Sequence, residues 1–169
     1  MIWKKELKNN RLAYELINNN SLIARMVFDT NKSYYEATCI VGDFLYTIER
    51  NGFWKTRIQL KEENGRVAGT VIQERIHSRK WRINILNRTY YIHYHNNPLL
   101  ELVIYDENYS YLITYKLSVD DDNYGADVEV HNVGVTNQEK NLLLMLGWYL
   151  FMPIAQENAI DYAMFNSTL

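Results

Sequence analysis

The stretch NLLLMLGWYLFMPIA, Asn141 to Ala155, constrains this chain more than any other. From Leu142 to Ala155 it holds fourteen residues without a charge, interrupted only by Gly147 and Pro153. Just before it, Thr136-Asn137-Gln138-Glu139 sets a threonine three residues ahead of a glutamate. That is the capping-box pattern, and it predicts a helix over about 137–155 that Pro153 kinks or ends. Fourteen helical residues span about 21 Å, short of the roughly 30 Å of a bilayer core. The flanks carry no basic cluster or lipidation signal, so neither a span nor an interfacial anchor is expected.

Apolar side chains cover every direction around this helix, and a helix without a polar face must be buried on all sides. Leu142, Leu143, Leu146, Leu150 and Phe151 are the expected core, with Gly147 a place where a neighbouring side chain can approach the backbone. Burying five or six large side chains contributes on the order of 10 kcal/mol, which excludes an exposed position.

The rest of the chain supplies the cover. From Ser21 it reads as ten or eleven short strands separated by Asn, Asp and Gly: SLIARMVF, YYEATCI, FLYTIER, TRIQLKEE, RVAGTVIQERI, KWRINIL, TYYIHYH, LLELVIY, YSYLITYKLSV and ADVEVHNV. Asn51-Gly52 and Asn64-Gly65 are hairpin signals, and further turns are expected at Asn87-Arg88, Asn96-Asn97-Pro98 and Asp106-Glu107-Asn108. In KWRINIL, Trp81, Ile83 and Ile85 share one face and Arg82 and Asn84 the other. Gly69, inside a strand, marks a bulge or a close approach. LAYELIN, before Ser21, reads either as a strand or as the end of a short helix. The fold expected for residues 1–169 is one domain, an antiparallel meander closed as a roughly twelve-stranded barrel around the C-terminal helix.

A meandering barrel threaded by a very hydrophobic C-terminal helix resembles the tubby C-terminal-like superfold of tubby-like proteins, phospholipid scramblases and the LURP-one-related group. The resemblance rests on the apolar helix and the strand rhythm from about Leu12 to Ala155. It implies binding of lipid headgroups by basic residues on the barrel surface, and it assigns that role to no particular residue here.

Cys39 is the only cysteine, which excludes a disulfide scaffold, and the N-terminus lacks the apolar stretch of a signal peptide, so a cytoplasmic protein is expected. Residues 1–88 carry sixteen Lys and Arg against nine Asp and Glu, while residues 89–169 carry two against eleven. Such a split steers an anionic partner only if the two halves stay apart on folding. A surface on which the signs mingle is the plainer expectation.

The basic run ERIHSRKWRINILNR is the best candidate site, with Arg75, His77, Arg79, Lys80, Arg82 and Arg88 able to contact phosphate. Its plainer reading is a solvated hairpin whose charges guard a sheet edge. His93 and His95 share a strand face, as two metal ligands would, but need a third from His131, Asp127 or Glu129 on an adjacent strand. The acidic turn from Asp120 to Gly125 fails the calcium-loop pattern, with Tyr124 at its fifth position and His131 at its twelfth. No cofactor or metal site is expected. No serine sits in a nucleophile elbow, and Cys39 in EATCIV reads as a small buried hydrophobe. The fourteen tyrosines suit a sheet and need no ligand to explain them. These observations point to a binding or adaptor module for an anionic lipid headgroup or a protein, with nucleic acid disfavoured by the acidic balance. A small hydrolase or isomerase with a barrel-mouth site, and a protein-interaction domain without a small ligand, are the alternatives.

Overall fold

The computed structural model describes residues 1–6, 12–29, 31, 36–51, 56–73, 80–95, 100–120, 123–131 and 134–166. Twelve strands precede one helix: β1 (Ile2–Lys5), β2 (Leu12–Asn18), β3 (Ser21–Phe28), β4 (Glu36–Val41), β5 (Phe44–Asn51), β6 (Arg57–Glu62), β7 (Val67–Gln73), β8 (Trp81–Ile85), β9 (Arg88–His95), β10 (Glu101–Tyr105), β11 (Tyr111–Asp120), β12 (Asn123–Val130) and α1 (Asn137–Asn166). Each strand pairs antiparallel with its neighbours in sequence, and β1 pairs with β12 to close the barrel. Closure leaves no free sheet edge. LAYELIN is therefore a strand, β2.

Alternation decides which residues face inward. Ile83 and Ile85 are buried and Arg82 is exposed on β8, as the pleat requires. Asn19 and Asn20 both take positive φ between β2 and β3, the geometry of a two-residue hairpin turn. The β8–β9 turn is Leu86-Asn87, one residue earlier than expected, because Ile85 pairs with Arg88. Asn51 pairs with Arg57 inside the ladder, so Asn51-Gly52 does not form a two-residue turn; Gly52 and the expected turn at Asn96-Asn97-Pro98 lie outside the described residues. Gly125 lies within β12, not in the acidic turn, and a Cβ there would collide with the Trp3 carbonyl of β1. The glycine lets the first and last strands meet.

The helix lies along the barrel axis. Trp148 stacks on Trp3 of β1 at 5.4 Å and meets Tyr14 of β2 edge-on at 4.9 Å. Tyr149 stacks on Phe28 of β3 at 5.9 Å. On other parts of the ring, the Tyr115 hydroxyl of β11 donates to the Leu144 carbonyl at 2.7 Å, and Leu146 approaches Gly69 of β7. Leu142 to Met152 are all buried, Gly147 among them, and Tyr115 fills the space a side chain at Gly147 would take. A Cβ on Gly147 would fall 2.5 Å from Tyr115 Cε2 and 2.6 Å from its oxygen. Gly69 answers to both expectations: the register skips Ala68 as a bulge, and a Cβ on Gly69 would stand 3.6 Å from Leu146 Cδ1.

The helix does not end near Ala155 but continues to Asn166 with Pro153 inside it. Proline removes one donor, the N–H that would bond the Tyr149 carbonyl, while Ala155, Gln156 and Glu157 beyond it are good helix formers. Among the residues whose burial is described, Ala155 is the last fully buried one, and Glu157 is exposed. No helix among the described residues is long and apolar enough to cross a membrane.

Because the meander never crosses over, the two charge halves do not interleave. Residues 1–88 build the arc from β1 to β8 and open β9 with Arg88, and the acidic remainder builds the rest of β9, β10 to β12 and α1.

Candidate functional site

The inward side chains of the strands and α1 pack into one buried core, and the candidate site residues lie on the outer wall and at the ends. Arg82 points outward from β8 and is exposed, and Lys80 just before the strand is exposed as well. Arg82 pairs in register with Ile72 of β7, and Ile72 pairs with Arg57 of β6, also exposed. Two strand spacings separate the guanidinium-bearing residues, about 10 Å between their backbones. Arg82 and Arg57 have no ion-pair partner among the described residues. Arg75, His77 and Arg79 lie outside the described residues.

Arg88 is elsewhere. It pairs with inward-facing Ile85 and turns to the end of the barrel where the helix begins, hereafter the capped end. There Glu139, 3 % exposed, accepts from Arg88 Nη1 at 3.2 Å, from the Tyr90 hydroxyl at 2.8 Å and from the Thr136 backbone N–H at 2.7 Å. The Glu139 N–H donates to Thr136 Oγ1 at 3.2 Å, completing the capping box. Burial pushes the Glu139 carboxyl up, but the Thr136 and Tyr90 hydrogen bonds and the Arg88 charge outweigh it and hold the group below its ordinary value. Burial and the neighbouring carboxylate push the Tyr90 phenol well up. The cap motif was legible in the sequence. Its second task, locking the helix to β9, was not.

A concavity of about 510 Å³ also lies at the capped end, lined by Asp43, Phe44, Glu62, Glu63, Asn64 and Gln138 among others. Its lining pairs carboxylates with amides and holds no histidine, cysteine or cation among the described residues. Cys39 is fully buried and its thiol is pushed far up by burial, which removes the thiolate a nucleophile needs.

His93 and His95 share the outer face of β9 with ring centroids 4.4 Å apart. The residues that would complete a metal set are on β12, which β10 and β11 separate from β9 by about 14 Å. His131 meets Thr114 at 3.1 Å instead. Among the described residues no three His, Cys, Asp or Glu side chains are placed to hold a metal. Of the acidic turn, Asp120 and Asn123 pair as the ends of β11 and β12, and Asp121 and Asp122 lie outside the described residues.

Two surface features were not anticipated. Tyr91, Tyr105 and Tyr109 stack in sequence on the outside of β9, β10 and the β10–β11 turn, at 5.6 and 5.7 Å between centroids. The signal for Tyr91 and Tyr105 was their position one step out of phase with inward Ile92 and Ile104. At the capped end, the exposed large apolar residues among those described (Leu22, Ile40, Phe44, Leu45, Val67, Leu86, Tyr109 and Tyr111) gather around one rim. Comparison of the chain with protein-family models, curated proteins and solved structures finds no match.

Proposed function

We propose that the protein is a non-enzymatic binding module that recognises a phosphate-bearing lipid headgroup on the outer wall of β6–β8. The observation that carries this reading is the pair of exposed arginines, Arg57 and Arg82, set on one face of the basic arc. Guanidinium groups bind phosphate oxygens in bidentate fashion, and two of them about 10 Å apart suit a ligand with more than one anionic group. The closed barrel around an apolar helix is the architecture on which the resemblance to the tubby C-terminal-like superfold rests. Each cation near an anionic membrane contributes about 1 kcal/mol, so Arg57→Ala/Arg82→Ala loses roughly thirtyfold in vesicle affinity. Flotation with vesicles containing or lacking phosphoinositides measures it. Equal flotation of the variant and the parent protein defeats the reading.

The apolar rim favours a second reading, a protein-interaction domain, since clustered exposed apolar side chains mark contact surfaces. A polar substitution at Phe44, 65 % exposed, then weakens partner capture while leaving vesicle flotation unchanged.

A further inference from the structure

The tyrosine stack stands over a built groove, and its chemistry differs from that of the arginine pair. Tyr91 and Tyr105 are opposed across β9 and β10, and Tyr109 folds back onto Tyr105 from the following turn. That turn is tightly held. Asp106 Oδ1 accepts from the backbone N–H of Asn108 at 2.9 Å and of Ser110 at 2.8 Å, and the Tyr109 N–H donates to the Asp106 carbonyl at 3.1 Å. Tyr109 itself sits at φ +60°, a left-handed conformation that bulky residues rarely adopt, with 78 % of the residue exposed. A large ring fixed in a strained turn and left in solvent is a feature of binding sites more than of packing.

Concavities of about 340 and 190 Å³ flank the Tyr105–Tyr109 pair. The larger reaches roughly the lower end of the range for small-ligand sites. Its floor is Val103, which has the outward phase of β10 yet is only 2 % exposed, and its far wall is the His93–His95 pair. The smaller adds the carboxylates of Asp106 and Glu107. The groove thus combines flat aromatic faces with donors and acceptors of both signs, Lys80 against Asp106 and Glu107.

That combination selects among ligands. Single-stranded nucleic acid also stacks on aromatic rings, but it needs a uniformly positive track, and two carboxylates at the groove repel its phosphates. A purely apolar ligand would make no use of the polar edge of the groove. A sugar ring presents an apolar C–H face to an aromatic ring and hydroxyls, each both donor and acceptor, to the polar edge. We infer that the groove over β9, β10 and the β10–β11 turn binds a neutral carbohydrate, its ring laid against Tyr109 and Tyr105 and its hydroxyls bonded by the flanking imidazoles and carboxylates. This groove adjoins the arginine pair, since Arg82 pairs with Tyr91 and Lys80 lines it, but the inference does not depend on that pair binding phosphate.

The test is a glycan array probed with the labelled full chain, followed by titration of the best neutral oligosaccharide. Two variants separate binding from folding. Tyr109→Asn removes the ring and suits the left-handed backbone, and Tyr109→Phe keeps the ring without its hydroxyl. The expected result is retention of at least one neutral glycan class, a loss of at least tenfold in Tyr109→Asn, and recovery to within about threefold in Tyr109→Phe. Retention of no glycan, equal affinity in Tyr109→Asn, or selective retention of single-stranded oligonucleotides run in parallel overturns the proposal.

Discussion

Gly147→Ala puts the buried-helix architecture to a test of sign. In an exposed helix, replacing glycine by alanine stabilises by about 1 kcal/mol, because glycine has more backbone freedom to lose. Here the added methyl would fall 2.5 Å from Tyr115 Cε2, 2.6 Å from its hydroxyl oxygen and 2.7 Å from Cζ. Those atoms belong to a ring buried on all sides, beside Phe151 at 5.8 Å, so the ring cannot swing into solvent. Overpacking of this kind costs about 1–3 kcal/mol. Displacing the ring also breaks the 2.7 Å bond to the Leu144 carbonyl and leaves a buried hydroxyl unpaired, a further 1–3 kcal/mol or so. Set against the propensity gain, the net is a loss of about 1–5 kcal/mol. Urea unfolding measures it as a lower midpoint at unchanged slope. A smaller side chain at position 115 should relieve the clash, so Gly147→Ala in a Tyr115→Leu background costs less than in the parent, and a double-mutant cycle reads the coupling. A single variant as stable as the parent, or more stable, would refute the packing of Tyr115 against the helix backbone.

Two further outcomes follow from buried groups. Glu139 is held below its ordinary value near 4.5, so its contribution to stability is fully present above that pH and is lost as pH falls through the lowered value; Glu139→Gln should cost about 2 kcal/mol at pH 7, with the gap to the parent closing toward pH 3, and a constant gap across that range contradicts the assignment. Cys39, fully buried with its thiol pushed far up, should stay unreactive to a disulfide reagent in the native protein and react in urea; native labelling as fast as unfolded labelling would place the residue at the surface.

What the sequence could reveal depended on whether a feature was written locally. The capping box, the apolar girth of the helix and the alternation of KWRINIL each involve residues within one turn or one strand, and each is present as read. Features fixed by register between distant segments were harder to see. Asn51-Gly52 has the composition of a tight turn, but the ladder pairs Asn51 with Arg57. Gly125 sits beside three aspartates and so reads as a turn glycine, yet its reason is the Trp3 backbone, more than a hundred residues away in the chain. Arg88 belongs by sequence to the basic run and by pairing to the inner face with Glu139.

The candidate sites divide along the same line. The basic run sets Lys80 and Arg82 two residues apart at the start of β8, while Arg57, on the outer wall with Arg82, comes from a strand two places away and shares no motif with them. Tyr91, Tyr105 and Tyr109 are spread over nineteen positions, and only the β9–β10 register with the Asp106-anchored turn stacks them. The packing around α1 bears on this outcome physically. Since the inner faces of the strands pack α1, the outward residues of the wall become neighbours only through strand pairing. For the same reason, substitutions that alter binding here should be outward-phase residues with small effects on stability, and inward-phase substitutions should do the reverse.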